Sequence, residues 1–308
     1  MAERIDLNAG WQFTWAEVAG GDRDKPEPKR PSEWLDAVVP GDVHIDLMQR
    51  GLLEDPFVGD NVDHAVWVER KEWWFKREFE TPAAPAGKRA YLLFHGLDTY
   101  GTVWLNGKLL GRTDNMFLRY EFDATEALNE SGTNELLVRL SPPRTGIEID
   151  PDHAPLDWTG VRLFARKAQM SFGWDIAPRL LTVGISRPVE LVLSETARIT
   201  DVLVTHGDAT APEVEVHIDV EVEWLGDEPA KVSLSGRVHD AQWQAEAELT
   251  PGVNLISTSV TLREPPLWWP LGYGEQTLVD VEASLAVDGR ELDAHRRRIG
   301  IRTLELVQ

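Results

Sequence analysis

Two loop segments of the sequence place a tryptophan directly beside an aspartate. Trp158 follows Asp157, and Trp174 precedes Asp175 in the glycine- and proline-bracketed run SFGWDIAP (171–178). The C–H face of a pyranose stacks on an aromatic ring, while a neighbouring carboxylate accepts hydrogen bonds from the sugar hydroxyls. These pairs therefore suit a carbohydrate ligand.

A third aromatic segment, EPPLWWPLGYG (264–274), contributes Trp268 and Trp269. All of these tryptophans have an alternative interpretation, in which they fill a core or plug a contact between domains. The pattern alone leaves both interpretations open.

Other chemistry is excluded by missing residues. The chain has no cysteine, which removes disulfides, thiolate metal sites and a cysteine nucleophile. It contains no phosphate-binding P-loop and no H-E-x-x-H spacing. Ser186 is not in a nucleophile elbow, because Pro188 follows and no helix is predicted after it. We expect neither a cofactor nor a metal ion.

Charge and hydropathy narrow the partners. The 31 basic and 52 acidic residues leave a formal charge of −21, so no basic face is available for nucleic acid. No apolar run is long enough to span a membrane, and MAERIDLNAGWQF at the start lacks the apolar core of a secretory signal. We therefore expect a cytoplasmic protein without nucleic-acid or membrane partners, and a homo-oligomer stays open.

Hydrophobic residues recur with a period of two. In EVEVHIDVEVEW (213–224) every second residue is apolar, and His217 lies in the polar register. This alternation predicts a half-buried strand with one solvated face. About seven short strands of this kind in residues 196–308 favour an immunoglobulin-like sandwich.

The first two thirds of the chain are also rich in strands. Asn106-Gly107 and Asp288-Gly289 are typical of tight hairpin turns. The best helix candidate is 40–55, with Asp42 as the N-cap, Gly51 at the C-terminal cap, and an apolar face of Ile45, Leu47 and Met48.

Several segments, taken in order, resemble glycoside hydrolase family 2, and specifically its β-mannosidase branch. The run RKAQMSFGWDIAPRLLTVGISRPVEL is similar to the family segment that contains S-F-G-W-D-W-G-P. Similar motifs cover essentially the whole chain: the W-x-F-x-W of Trp11, Phe13 and Trp15, then 39–61, 72–80, 94–125, 267–282 and 299–308.

The resemblance implies an all-β architecture. A jelly-roll, galactose-binding-like β-sandwich would occupy residues 1–195, and an immunoglobulin-like β-sandwich would occupy residues 196–308. In the family a (β/α)₈ barrel of about 200–250 residues follows, and it carries the two glutamates of a retaining mechanism. Because the sequence stops where that barrel would begin, we expect no catalytic residue in this chain and name the C-terminal barrel as its missing partner.

The resemblance also assigns substrate-binding residues. Trp174 and Asp175 match the family's Trp-Asp turn, which reaches the barrel's active site and contacts sugar hydroxyls. Ile176 and Ala177 depart from the usual Trp-Gly, which puts full mannosidase specificity in doubt. The polar residues that flank the turn are expected to position it: Arg162, Lys167 and Gln169.

Three functions follow from these observations. The chain is the N-terminal, non-catalytic region of a β-mannosidase-like hydrolase acting on β-mannosides, a free-standing carbohydrate-binding protein, or a structural module without a ligand. The family resemblance favours the first.

Overall fold

The structure is a computed structural model that describes residues 2–18, 33–82, 87–143 and 160–306. Its contacts divide the chain into two compact units. One unit comprises Arg4–Leu193, and the other comprises Ser194–Gln308 together with Met1–Glu3. Strands dominate both units, so the all-β prediction is confirmed.

The first unit is a β-sandwich. Within the described residues, one of its sheets has the strand order β1-β10-β5-β8 and the other has the order β3-β2-β4-β9-β6-β7. The strands are β1 (Glu3–Asp6), β2 (Trp11–Glu17), β3 (Leu35–Asp36), β4 (Lys71–Glu80), β5 (Arg89–Phe94), β6 (Tyr100–Leu105), β7 (Lys108–Arg112), β8 (Tyr120–Asp123), β9 (Thr133–Ser141) and β10 (Val189–Ser194).

Short helices connect these strands. They are α1 (Val43–Gln49), α2 (Asn61–Ala65), α3 (Gly160–Phe164) and two 3₁₀ turns, Val68–Arg70 and Gln169–Phe172. None of the helices in the described ranges is long and apolar enough to cross a membrane.

The core of the first unit lies between its two sheets, because side chains alternate across each strand. Phe13 of β2 and Phe75 of β4 meet Leu92 of β5 and Leu191 of β10 in one buried cluster. Trp74 faces the opposite side of its sheet and packs there in a separate cluster.

Helix α1 begins where the sequence predicts and buries a different face. Asp42 is the N-cap, and its carboxylate accepts the backbone N–H of His44 at 2.8 Å. The predicted apolar face is wrong at Ile45, which is 48% exposed, whereas Val43 and Leu47 are fully buried. The buried pair has the four-residue spacing that places side chains on one helix face.

The second unit is also a sandwich. Within the part of the chain that the structure describes, its sheets have the orders β11-β12-β15 and β14-β13-β16-β17. Asp293 of β17 links them, because its carboxylate accepts the backbone N–H of Ile199 on β11 at 2.8 Å. The strands are β11 (Ala197–His206), β12 (Glu213–Trp224), β13 (Ala230–Val238), β14 (Ala241–Leu249), β15 (Gly252–Arg263), β16 (Val279–Val287) and β17 (Arg290–Ile299).

Both predicted hairpin turns have the backbone that their sequences require. Asn106 and Gly107 have φ of 51° and 79°, and Asp288 and Gly289 have φ of 49° and 78°. Two successive residues with positive φ form the turn whose twist matches the flanking strands. These turns set the register of β6 with β7 and of β16 with β17.

The alternation in β12 predicts opposite outcomes for two adjacent substitutions. Ile218 is fully buried, so Ile218→Ala should lower the free energy of unfolding by about 2–5 kcal/mol. The side chain of His217 is 54% exposed, so His217→Ala should change it by no more than about 0.5 kcal/mol. Urea unfolding of the purified chain, followed by tryptophan fluorescence, measures both; similar losses would contradict the register of β12.

Candidate functional site

The Trp174–Asp175 pair lies at the tip of a narrow turn. The backbone N–H of Trp174 donates to the oxygen of Ala177 at 3.0 Å, and the N–H of Ala177 donates back to Trp174 at 3.2 Å. This reciprocal pair leaves Asp175 and Ile176 as the two tip residues. Gly173 enters the turn with φ of 98°, a conformation that favours glycine.

The side chains at this tip are open to solvent. Trp174 is 61% exposed, Ile176 is 95% exposed, and Asp175 is exposed as well. The same segment exposes Leu163 and Met170 by about two thirds each, at 65% and 67%.

A buried phenylalanine next to the turn anchors it in the first unit. Phe172 is 2% exposed and packs with Ala165 and Leu181. The guanidinium of Arg179 lies 5.6 Å from the Phe172 ring and donates to its backbone oxygen at 3.4 Å. Arg179 also makes two parallel hydrogen bonds to the Glu69 carboxylate, at 3.0 and 3.1 Å. Such a fork fixes orientation more tightly than a single contact does.

Two of the three flanking residues support the turn from its side. The guanidinium of Arg162 lies 5.8 Å from the centre of the Trp174 ring, within cation–π range. The Gln169 amide donates to the backbone oxygen of Arg162 at 2.9 Å and to that of Ala165 at 3.4 Å. Gln169 thereby satisfies carbonyl groups at the C-terminal end of α3.

The third flanking residue, Lys167, is buried rather than exposed. It is 3% exposed, and its ammonium pairs with the carboxylate of Asp98, also 3% exposed. Burial lowers the pKa of the Lys167 ammonium below its ordinary value, while the Asp98 carboxylate acts in the opposite direction. This ion pair joins the segment that contains the turn to the connection between β5 and β6, where Asp98 lies.

The other predicted aromatic residues are not part of the described turn segment. Trp158 and Asp157 fall outside the described residues. Trp268 and Trp269 belong to the second unit, where the Arg302 guanidinium covers the Trp268 ring at 4.6 Å. Trp269 is 46% exposed.

Sequence reasoning missed four residues that hold the turn: Glu69, Asp98, Arg179 and Thr182. Arg179 and Thr182 lie in the family-like segment 166–191 that contains the turn. Their residue types alone do not indicate that they bind Glu69 and Asp98. Asp98 lies within the family-like segment 94–125, yet its partner Lys167 is 69 positions away. The long separation, rather than the residue types, hides this pair.

The turn has the side-chain types of a sugar contact but only one carboxyl group. An exposed indole can stack on a sugar face, and the adjacent carboxylate can accept hydroxyl protons in hydrogen bonds. Retaining hydrolysis needs two carboxyl groups about 5 Å apart, and the Trp174–Ala177 turn carries one. Among the residues that the structure describes, no group of three His, Asp or Glu side chains could hold a metal ion.

The fold is that of a galactose-binding-like β-sandwich followed along the chain by an immunoglobulin-like β-sandwich. Residues 11–187 match the family model described as glycosyl hydrolase 2 galactose-binding domain-like. Residues 197–302 match the model of glycosyl hydrolases family 2. Since the first match alone covers more than half of the sequence, the chain belongs to glycosyl hydrolase family 2.

Similar proteins match nearly all of this chain. Beta-mannosidase B of Emericella nidulans is 35% identical over 312 residues, which are 98% of this chain and 36% of that protein. Beta-mannosidase B of Thermothelomyces thermophilus is 36% identical over 99% of this chain and 35% of its own length. The crystal structure of a beta-D-mannosidase from Dictyoglomus thermophilum has a TM-score of 0.80 and 35% identity, covering 99% of this chain and 37% of that one. The chain therefore spans little more than a third of these relatives.

Two substitutions separate the support of the turn from its tip. Phe172→Ala should lower the free energy of unfolding of the first unit by about 3–5 kcal/mol, because it empties a buried site. Ile176→Ala should change it by less than about 0.5 kcal/mol, because that side chain is almost fully exposed. Thermal and urea unfolding of both variants measure the difference, and a large loss from Ile176→Ala would contradict the exposed tip.

Proposed function

We propose that this chain is the N-terminal, non-catalytic region of a β-mannosidase-type glycoside hydrolase. Residues 1–195 then form the sugar-binding unit, and residues 196–308 form the immunoglobulin-like unit. The observation that carries this proposal is the similarity to beta-mannosidases along 98–99% of the chain, against 35–37% of their own lengths. The cytoplasmic location expected from the sequence stays part of the proposal.

In this proposal the two units supply binding, and a barrel beyond them supplies the chemistry. Two glutamates of the barrel act as acid/base and nucleophile through a glycosyl-enzyme intermediate. Asp175 extends into the barrel's site and accepts hydrogen bonds from hydroxyls of a terminal β-mannose, while Trp174 forms part of the wall. The exposed apolar side chains around the turn, including Leu163 and Met170, support an arrangement in which another domain covers them.

The tip residues bear on the specificity of this enzyme. Ile176 and Ala177 stand where the family usually has Trp-Gly, and Ile176 projects into solvent beside Asp175. An isoleucine offers no flat ring on which a sugar could stack. The proposal therefore includes a sugar site that has one aromatic side chain fewer than the usual site of the family, at the position of Ile176.

The free-standing carbohydrate-binding protein is the second candidate, and one observation favours it. Trp174 and Asp175 are exposed and their turn is closed by bonds within the first unit, so the turn requires no other domain for its shape. Sugar binding by the isolated chain would be weak under the first proposal, because half of the pocket wall comes from elsewhere.

The first test concerns hydrolysis by the chain alone. Purified residues 1–308 should not release p-nitrophenol from p-nitrophenyl-β-mannoside, because both catalytic glutamates lie in the barrel. Clear turnover that a Glu→Gln substitution within residues 1–308 abolishes would overturn the proposal.

The second test concerns Asp175 in a longer protein that carries this chain followed by the barrel. Asp175→Ala should lower kcat/KM for the β-mannoside roughly 10- to 150-fold, the loss expected when one charged hydrogen bond of about 1.5–3 kcal/mol is removed. The melting temperature should not change, since Asp175 is exposed.

Asp227→Ala, at an exposed aspartate of the second unit, is the matched control and should leave kcat/KM unchanged. A fall in melting temperature for Asp175→Ala, without a specific kinetic loss, would assign Asp175 to the stability of the fold instead.

A further inference from the structure

The segment from Lys167 to Thr182 forms a loop whose two ends are fastened together. The Lys167 ammonium donates to the backbone oxygen of Thr182 at 2.7 Å and to its Oγ1 at 3.1 Å. Both ends also hold Asp98, because Lys167 donates to Oδ1 and Thr182 Oγ1 donates to Oδ2 at 2.6 Å. We call Lys167, Asp98 and Thr182 the clasp. Trp174 and Asp175 occupy the middle of the loop that it closes.

The hydrogen bonds of the clasp are complete. An ammonium has three N–H donors, and those of Lys167 have three acceptors: Asp98 Oδ1, Thr182 O and Thr182 Oγ1. The Asp98 carboxylate also accepts the hydroxyl of Thr99. A buried ion pair contributes little net stability compared with apolar side chains of the same volume, but it tolerates few geometries. The clasp is therefore suited to fixing a position.

The clasp is tied to the sandwich through the backbone of Asp98. Its N–H donates to the oxygen of Gly184 at 3.0 Å, and the N–H of Gly184 donates back at 3.3 Å. Since Asp98 lies in the short connection between β5 and β6, these bonds hold the base of the loop to that connection. The position of the loop base is therefore defined relative to the core.

Between the base and the tip, two pairs of residues make backbone hydrogen bonds from one arm of the loop to the other. The N–H of Leu180 donates to the oxygen of Ser171 at 3.0 Å, and Trp174 exchanges two hydrogen bonds with Ala177. These hydrogen bonds join the two arms of the loop, as in a hairpin. A change at the base that lets the two arms separate therefore weakens the hydrogen bonds nearer the tip.

We infer that the clasp positions the proposed sugar contact, with Lys167 holding the two arms of the loop together so that Asp175 stays within reach of the substrate. This inference rests on the proposed function of the turn. Lys167 is a positioning residue, because it is buried at the base and acts through Asp175. A misplacement of about 1 Å in a binding group can cost about 100-fold in rate.

Hydrogen–deuterium exchange of the full chain tests the clasp without requiring activity. Lys167→Met keeps an unbranched side chain but removes all three donors. It should speed exchange at the Trp174 and Leu180 amides by about tenfold or more, because local opening becomes easier. The amide of Val220 in β12 should exchange as in the unaltered chain. Unchanged exchange at both loop amides would overturn the inference.

Two other variants serve as a control and as an alternative to Lys167→Met. Lys108→Met removes a lysine from an exposed ion pair with Glu126 in the same unit, and should leave the loop amides unaffected. Thr182→Val removes Oγ1 but keeps the shape of the side chain, so it decides the question if Lys167→Met does not fold. It should accelerate the same amides by a smaller factor, and no acceleration would count against the clasp.

A double-substitution cycle in the longer, barrel-containing protein tests whether the effect runs through Asp175. Lys167→Met should lower kcat/KM for the β-mannoside about 10-fold when Asp175 is present. In the Asp175→Ala background it should lower kcat/KM less than about twofold, because the group being positioned is gone. Equal losses in both backgrounds would assign Lys167 to general stability.

The failures of the two proposals are distinguishable. If Asp175→Ala leaves kcat/KM unchanged while Lys167→Met still loosens the loop amides, the proposed sugar contact is wrong and the clasp is only structural. If Asp175→Ala has its effect while Lys167→Met changes neither exchange nor kcat/KM, the clasp is wrong and the sugar contact remains.

Discussion

Side-chain alternation across β4 is the constraint on which the first unit depends. Trp73 faces the core between the sheets, and Trp74 faces the opposite side. From its inward position Trp73 donates through its indole N–H to the backbone oxygen of Val68 at 2.9 Å and packs 5.8 Å from the Trp67 ring. These contacts hold the 3₁₀ turn that carries Glu69, the partner of the arginine beneath the tip. A slip of one residue in β4 would reverse its faces and remove this support.

Close approach of two backbone segments explains a second part of the site. The chain that leaves the turn runs against the start of α1, where Gly41 donates to Ile185 at 2.9 Å and Val183 donates to the Asp42 carboxylate at 2.8 Å. A Cβ on Gly184 would lie 2.4 Å from the Gly41 oxygen. A side chain at Gly184 would force these segments apart, so a local feature of the helix start helps to set where the turn segment re-enters the sandwich.

The range of an interaction decides how well the sequence predicts it. Alternation and turn chemistry act between neighbours, so β12 and the Asn106-Gly107 hairpin follow directly from the residues. Strand β14 has a weaker local pattern, because its alanines are poor strand formers, although Trp243 alternates with smaller residues. The pair of Asp98 and Lys167 has no local pattern at all. Its members become neighbours only after two distant parts of the chain pack together.

The structure also bears on the two interpretations of Trp174. The most deeply buried tryptophans of the first unit include Trp11, Trp73 and Trp104, which are at most 1% exposed. Trp174 is 61% exposed, so it fills no core within its unit. The Arg162 guanidinium lies over part of the Trp174 ring, and the exposed remainder of the indole is accessible to a ligand or to another domain. Because the turn is closed by its own backbone hydrogen bonds, the exposed indole and the neighbouring exposed carboxylate stand on a backbone that the first unit itself holds in place.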